Sequence, residues 1–163
     1  MEAIKNLIID KFGADAIVNE HTAGLQPSLE VKTALISDIC QELYQNETTY
    51  FDFLSCITAI DNGLEKGTME VIYHLYSIPY NKHIVLKVFT SRGDDKVLPS
   101  IPTVTNVWKS ADWHEREAYD LLGINFEGHP DLRRILMPND WVGYPLRKDY
   151  QEQETYHGIK VAY

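Results

Sequence analysis

Cysteine is the first scarcity. Cys40 and Cys56 are the only two among 163 residues. They stand far from any paired metal-ligand spacing, so a disulfide framework, a zinc site and a Cys-ligated iron–sulfur cluster all lack ligands. A reducing compartment fits that usage. Basic residues are outnumbered, 15 against 24 acidic, and the net charge of −9 opposes non-specific nucleic-acid binding while favouring solubility. No apolar run approaches the roughly 20 residues needed to span a bilayer. Met1 to Asp10 has neither the basic start nor the small-residue cleavage site of a signal peptide. If the protein works at a membrane, something else holds it there. None of the nine glycines fits a Walker A pattern or a dinucleotide fingerprint, so nucleotide binding by this chain is not expected. Internal repeats and low-complexity tracts are missing too.

What is present reads as one domain, long enough to bury roughly 70% of its unfolded surface without a disulfide or metal. Ile4, Leu7 and Ile8 at helical spacing, followed by Gly13, predict a helix over about 2 to 12. Ala16 to His21 and Pro27 to Val31 read as short strands around the turn-prone Thr22-Ala23-Gly24. Ile36, Ile39, Cys40, Leu43 and Tyr44 form an amphipathic helical stripe, on which Cys40 is a small core residue rather than a nucleophile. Tyr50 to Ile60 is apolar on both alternating sets, which predicts a central strand covered on both faces. Met69 to Ser77 and His83 to Thr90 alternate with period two and read as a hairpin joined by residues 78 to 82. His74 and His83 approach one another across it, but two histidines without a carboxylate or thiol make half a metal site. Arg92 to Pro102 reads as loop, broken by Gly93, Asp94, Asp95, Pro99 and Pro102. Val104 to Trp108 resumes a short helical or extended segment. The expected fold is α/β (α+β): a two-layer sandwich with a mixed sheet of about five strands, helices on one side, then a helix and an irregular C-terminal extension. The division falls at 1–125 for the α/β domain and 126–163 for the extension.

The densest chemistry lies between Asp112 and Asp149. Asp112 with Glu115 three residues on is a capping-box pattern, and Gly123 stands where a left-handed residue would end the helix. Glu115, Arg116, Glu117 and Asp120 do not segregate from the apolar positions of that helix, so some must be partly buried and mutually paired. His114-Glu115 opens a zinc-peptidase motif, but Ala118 replaces the second histidine and the reading fails. His114, Glu115, Glu117 and Asp120 offer general acids and bases, the makings of a free-standing carboxylate-dependent hydrolase. No nucleophile, oxyanion donor or cofactor motif accompanies them, which favours a structural network.

This stretch also resembles a known family: the C-type, or thirty-kilodalton-type, subunit of proton-pumping NADH:quinone oxidoreductase, respiratory complex I. The family signature is Glu-Arg-Glu, then an acid, two apolar residues, a His or Lys, a basic residue or Pro, and two more apolar residues at fixed intervals. Glu115-Arg116-Glu117, Asp120, Leu121-Leu122, His129, Arg133 and Ile135-Leu136 fill it without departure. The likeness continues through Pro138, Trp141, Gly143 and Pro145-Leu146-Arg147-Lys148-Asp149, and more loosely back to about Leu29. The resemblance implies a peripheral-arm subunit without catalytic, cofactor or metal residues of its own. It would face the cytoplasm in bacteria, or the matrix in mitochondria. NADH, FMN, iron–sulfur clusters and quinone would be carried by other subunits. Its implied partners are the quinone-site (D-type) and terminal-cluster (B-type) subunits. The equivalent subunit of a related membrane-bound hydrogenase or ferredoxin-fed dehydrogenase is the alternative.

Residues and resemblance meet in the extension. Phe126, Trp141, Tyr144 and Leu146 supply apolar area that an isolated domain has difficulty covering. Arg133, Arg134, Arg147 and Lys148 make a basic strip on an acidic chain, and arginine suits partly buried interface pairs. The expected partner-binding set is therefore Arg133, Arg134, Trp141, Tyr144, Arg147 and Lys148.

Overall fold

The computed structural model describes residues 1–23, 26–94 and 97–161. Gly24 of the expected turn and Asp95 among the expected loop breakers lie outside the described residues. Two helices form the first layer. In α1 (Glu2–Phe12) Ile4 and Ile8 face the core. In α2 (Ile36–Gln45) Ile36, Ile39, Cys40 and Leu43 are buried, as the helical stripe requires. A Lys11–Glu42 ion pair of 2.9 Å links the two helices at their outer surface.

Beneath them lies a mixed five-stranded sheet in the order β1 (Ile17–His21), β2 (Ser28–Val31), β5 (Lys82–Ser91), β4 (Thr68–Ser77), β3 (Phe53–Asp61). β2 and β5 run parallel; the other neighbours are antiparallel. β4 and β5 form the expected hairpin, with Val71 opposite Val88, Tyr73 opposite Leu86 and Leu75 opposite Ile84. These six residues are buried on one face, whereas Glu70, Ile72, His74 and Tyr76 stand half-exposed on the other. The sheet is therefore covered on a single side.

That arrangement corrects the reading of Tyr50 to Ile60 as a central strand. β3 is an edge strand, and Phe53, Ser55, Thr58 and Ile60 are exposed. Its register shifts between Leu54 and Cys56, so Leu54 and Ile57 both face inward despite their odd spacing. A bulge of this kind adds a residue to one strand and defeats simple alternation, which is why both sets looked apolar. Phe51 lies before the strand and is fully buried, its carbonyl accepting from Trp108 Nε1 at 3.1 Å.

The expected loop of 92 to 102 ends in a strand. β6 (Ser100–Pro102) pairs in parallel with β7 (Asn125–Glu127), setting Ile101 beside Phe126. α3 (Ala111–Leu122) forms the crossover between them. Phe126 is thus a core residue, not spare apolar surface. Residues 104 to 107 form turns. Helix α3 begins two residues earlier than the capping-box pattern implies, with Ser110 at the N-cap and no side-chain cap. Its C-terminal end follows expectation: Gly123 has φ 69° and ψ 41°, and its N–H bonds to the Tyr119 carbonyl at 2.9 Å. Beyond β7 a two-stranded ribbon, β8 (Thr155–Tyr156) and β9 (Ile159–Lys160), is the only further regular structure among the described residues.

Gly123 shows how tightly the extension sits on α3, because a Cβ there would lie 2.6 Å from the Tyr144 ring. Gly158, also at positive φ, meets nothing within 4 Å. Gly158→Ala should cost about 1 kcal/mol, the backbone penalty alone. Gly123→Ala should cost more by at least another kcal/mol or so, since the clash adds to that penalty. Denaturant midpoints of the two variants check the difference.

Candidate functional site

Three carboxylates carry the geometry of the signature region, each by a separate set of bonds. Glu115 points from α3 into the core and is fully buried. One oxygen accepts from the Thr103 hydroxyl at 2.5 Å and the other from the Val104 N–H at 2.8 Å. Burial pushes its pKa up to about 7; the Thr103 and Val104 donors pull against that shift, and Asp112 adds to it. Glu115 thereby anchors the segment between β6 and α3 instead of closing a capping box. Burial, with the charge of Glu115 beside it, also drives the Cys40 thiol far above the ordinary range, which leaves that cysteine an inert core group.

Asp120, in the last turn of α3, is also fully buried. One oxygen takes the Arg134 guanidinium at 2.7 Å. The other accepts three successive backbone N–H groups, Ile135 at 2.9 Å, Leu136 at 2.6 Å and Met137 at 2.9 Å. Burial alone would raise its pKa, but the three amides and Arg134 outweigh it and hold the carboxyl below its usual range.

Asp61 closes β3 and is the third. Arg92 binds it with two nitrogens, at 2.8 and 2.9 Å, and also grips Asp149. The Gly63 and Lys148 N–H groups complete the shell at 2.8 and 2.9 Å. Burial would raise the Asp61 pKa; these donors take it down to about 2. The extension is thus fastened at both ends, residues 134 to 137 to α3 and residues 147 to 149 to β3 and α3. Arg147 adds a bond from Nε to the Leu122 carbonyl at 2.8 Å.

The expected network of Glu115, Arg116, Glu117 and Asp120 is therefore not one network. Arg116 is buried but reaches the Arg133 carbonyl at 3.3 Å and Asp112 at 3.5 Å, with the Trp113 ring centroid 5.0 Å from its guanidinium. Glu117 is exposed, at the mouth of a cleft between α3 and β3. His129 accepts the Asp131 N–H on Nδ1 at 3.0 Å, which puts its proton on Nε2 and lets it donate to the Asp112 carbonyl at 3.3 Å. The basic strip divides. Arg134 and Arg147 are bound inside the chain, while Arg133, paired with Asp131 at 2.8 Å, and Lys148 stand exposed. Tyr144 receives both guanidinium groups, Arg134 at 5.1 Å and Arg147 at 5.0 Å from its ring centroid. Trp141 donates to the Tyr150 hydroxyl at 3.1 Å and packs on Tyr156.

Arg92, Asp61 and Thr103 escaped sequence reasoning. The partners Asp61 and Arg92 are 31 residues apart and Thr103 and Glu115 12 apart, and neither spacing repeats a helix or strand period. The one available signal was an acid closing an apolar strand beside an arginine closing another. Among the described residues no group of three or more His, Cys, Asp or Glu side chains is placed to hold a metal ion, and no helix is long and apolar enough to cross a membrane. His74 lies opposite Val85, and His83 opposite Tyr76. Asp61 and Asp120 are thus each met by four donors, whereas Glu115 is enclosed with two.

In fold the chain is similar to a component of an archaeal respiratory membrane complex, the membrane-bound sulfane sulfur reductase. The TM-score is 0.73 and the identity 26%, over 92% of this chain and 85% of that one. Residues 29–156 match the family described as "Respiratory-chain NADH dehydrogenase, 30 Kd subunit", and the chain belongs to that family. The C-type NADH-quinone oxidoreductase subunit of Chloroherpeton thalassium is 45% identical over 99% of this chain, which spans 65% of that protein's length. Its counterpart in Chlorobium phaeobacteroides is 42% identical over 99% of this chain and 95% of its own length. An Acinetobacter baumannii protein named for both the C and D subunits is 39% identical over 94% of this chain, which covers 26% of that protein.

The bonds around α3 separate surface from interior charge. Arg133→Glu should leave the denaturant midpoint nearly unchanged, since an exposed pair contributes little. Arg134→Ala strands the buried Asp120 and should cost about 3 to 5 kcal/mol, read from the same midpoints. Glu115 makes stability depend on pH. The folded state holds its proton up to about 7, against an ordinary 4.5, so its penalty on folding is absent below 4.5, grows across that window and is full above it. The full penalty is roughly 3 kcal/mol. In denaturant titrations across that range, Glu115→Gln should match the wild type at low pH and exceed it increasingly up to pH 7. The lowered pKa of His74 acts in the opposite sense, but it is common to both proteins and cancels in the difference.

Proposed function

We propose that the chain is a non-catalytic, cofactor-free peripheral-arm subunit of a proton-pumping NADH:quinone oxidoreductase that helps assemble and hold the quinone-reducing module. One observation carries the reading: the buried charged residues of the family signature are used on the chain itself, Asp120 and Arg116 holding the C-terminal extension and Glu115 the segment before α3. Glu115, Arg116 and Asp120 do architectural work, and the exposed members, Glu117 and Arg133, are left to face a partner. NADH, FMN, iron–sulfur clusters and quinone belong in this reading to other subunits. The D-type and B-type subunits are the neighbours. The Acinetobacter chain supports the first of these, because it carries a C-type and a D-type name in a single polypeptide. The protein sits on the cytoplasmic side of the bacterial inner membrane, held there through the complex.

The likeness to a chain of the sulfane sulfur reductase complex supports a second reading, the equivalent subunit of a related membrane-bound complex with a different electron donor. Gentle detergent extraction of native membranes through a tag on this chain discriminates the two. The first reading expects co-purified NADH-binding and quinone-site subunits and NADH:quinone reductase activity, with the chain alone colourless and inactive. Co-purification with a different donor module would select the second. Recovery of the chain alone, with turnover of its own, would overturn both.

A further inference from the structure

Glu115 stands at the inner end of a short chain of hydroxyls. Its Oε2 lies 2.5 Å from Thr103 Oγ1, which lies 2.9 Å from Thr105 Oγ1 with either of the two hydroxyls able to donate. Thr103 Oγ1 also accepts the Thr105 N–H at 3.2 Å, and Glu115 Oε1 accepts the Val104 N–H at 2.8 Å. Glu115 and Thr103 are buried; Thr105 is 5% exposed and is followed by the exposed Asn106. The chain therefore leads from an enclosed carboxyl toward the surface.

A hydroxyl has one proton to give and two lone pairs to offer. With Glu115 ionised, Thr103 gives its proton to the carboxylate and accepts from the Thr105 hydroxyl and the Thr105 N–H. With Glu115 protonated, the carboxyl proton goes to Thr103, the Thr105 N–H stays where it is, and the Thr103 proton turns to Thr105. Oε2 is the oxygen that takes the proton, because the Val104 N–H already points at Oε1. Each polar group of the chain up to Thr103 is paired in both states. Only the direction of two hydrogen bonds changes, and in the second state the Thr105 proton points outward.

The titratable groups around Glu115 are acids: Cys40 from α2, Tyr73 from β4 and Asp112 from α3 itself. The Tyr73 hydroxyl is buried without a hydrogen-bond partner among the described residues. No guanidinium holds this carboxylate as Arg134 holds Asp120. Its pKa, raised by burial to about 7, puts both states within reach near neutral pH.

We propose that Glu115 is a proton-binding site that fills and empties through the Thr103 and Thr105 hydroxyls. Uptake is one concerted shift. A hydronium ion gives a proton to Thr105 Oγ1, the proton already there passes to Thr103 Oγ1, and the Thr103 proton passes to Glu115 Oε2. Three O–H bonds break and three form, and the carboxylate and hydronium charges cancel. Release runs the same shift in reverse. The site goes beyond the role under Proposed function and does not depend on it, since an exchangeable proton gives the subunit no reaction of its own.

Infrared titration of the full chain in the carboxylic C=O region tests the relay, the Glu115 band being the one missing from Glu115→Gln. The band should titrate near pH 7. Thr103→Val removes the donor to the carboxylate and should raise the midpoint by about 0.5 or more. Thr105→Val should lower it, because the Thr103 proton loses its acceptor only when Glu115 is protonated, and a stranded donor outweighs a lost polarising bond. Thr105→Ala, which adds no bulk, should behave in the same way. After a pH jump the band should relax roughly tenfold or more slowly in both position-105 variants than in the wild type, while Thr105→Ser, which keeps the hydroxyl, should match the wild type within about twofold. A midpoint raised by Thr105→Val and Thr105→Ala would make Thr105 a fixed donor and overturn the proposal. Unchanged relaxation in those variants would overturn the route, and a Glu115 band that does not titrate between about pH 5 and 8 would overturn the site.

Discussion

A carboxylate taken out of water has to be met by donors, and in this chain that requirement decides where the residues after β7 go. Asp120 can be buried at the end of α3 only because Arg134 and three consecutive backbone amides come to it. Asp61 can be buried at the end of β3 only because Arg92 and the amides of Gly63 and Lys148 reach it. Between them these two sites pin a segment that has almost no regular secondary structure. Tyr144, lying near both the Arg134 and Arg147 guanidinium groups, occupies the middle of the strap. The order of the extension is thus borrowed from polar groups on the α/β layer.

The three carboxylates illustrate how differently burial acts when donor numbers change. Asp61 and Asp120 have enough donors to stay ionised below their ordinary range, whereas Glu115, with one hydroxyl and one amide, does not. Each of the first two is met by four donors. Glu115 has a pKa in the range of a working general base, but it is enclosed by the segment it anchors. The direction of each shift thus follows from how many donors meet the buried carboxylate.

Local periodicity made the helices, the β4–β5 hairpin and the Gly123 terminator legible in the sequence, because each is set by residues within a few positions of one another. The strand order was not legible. A bulge at Leu54 to Cys56 turned the one-sided edge strand β3 into an apparently two-sided one. The β6–β7 pairing escaped because three residues of strand on either side of a helix give no pattern to detect. At the site, the residue types of the signature announced buried charge on α3, but their partners did not follow from spacing. Glu115 and Arg116 lie next to each other in the chain and serve different neighbours, and the adjacent Arg133 and Arg134 divide into one exposed and one enclosed side chain. Sequence adjacency carries no information on that division, since it depends on where the chain turns back against α3.

The bonding of Asp120 to Ile135, Leu136 and Met137 has a consequence for what the extension is free to become. The aspartate reads amide hydrogens, which every residue except proline supplies, and is indifferent to the three side chains. These bonds therefore constrain the path of the segment without constraining its side chains, of which Ile135 and Met137 stay half-buried. Leu136, 60% exposed, is presented to the outside on a rigid mount whose shape does not depend on it. The side chain at 136 thus answers to the surface it meets, not to the bonds that hold its backbone in place.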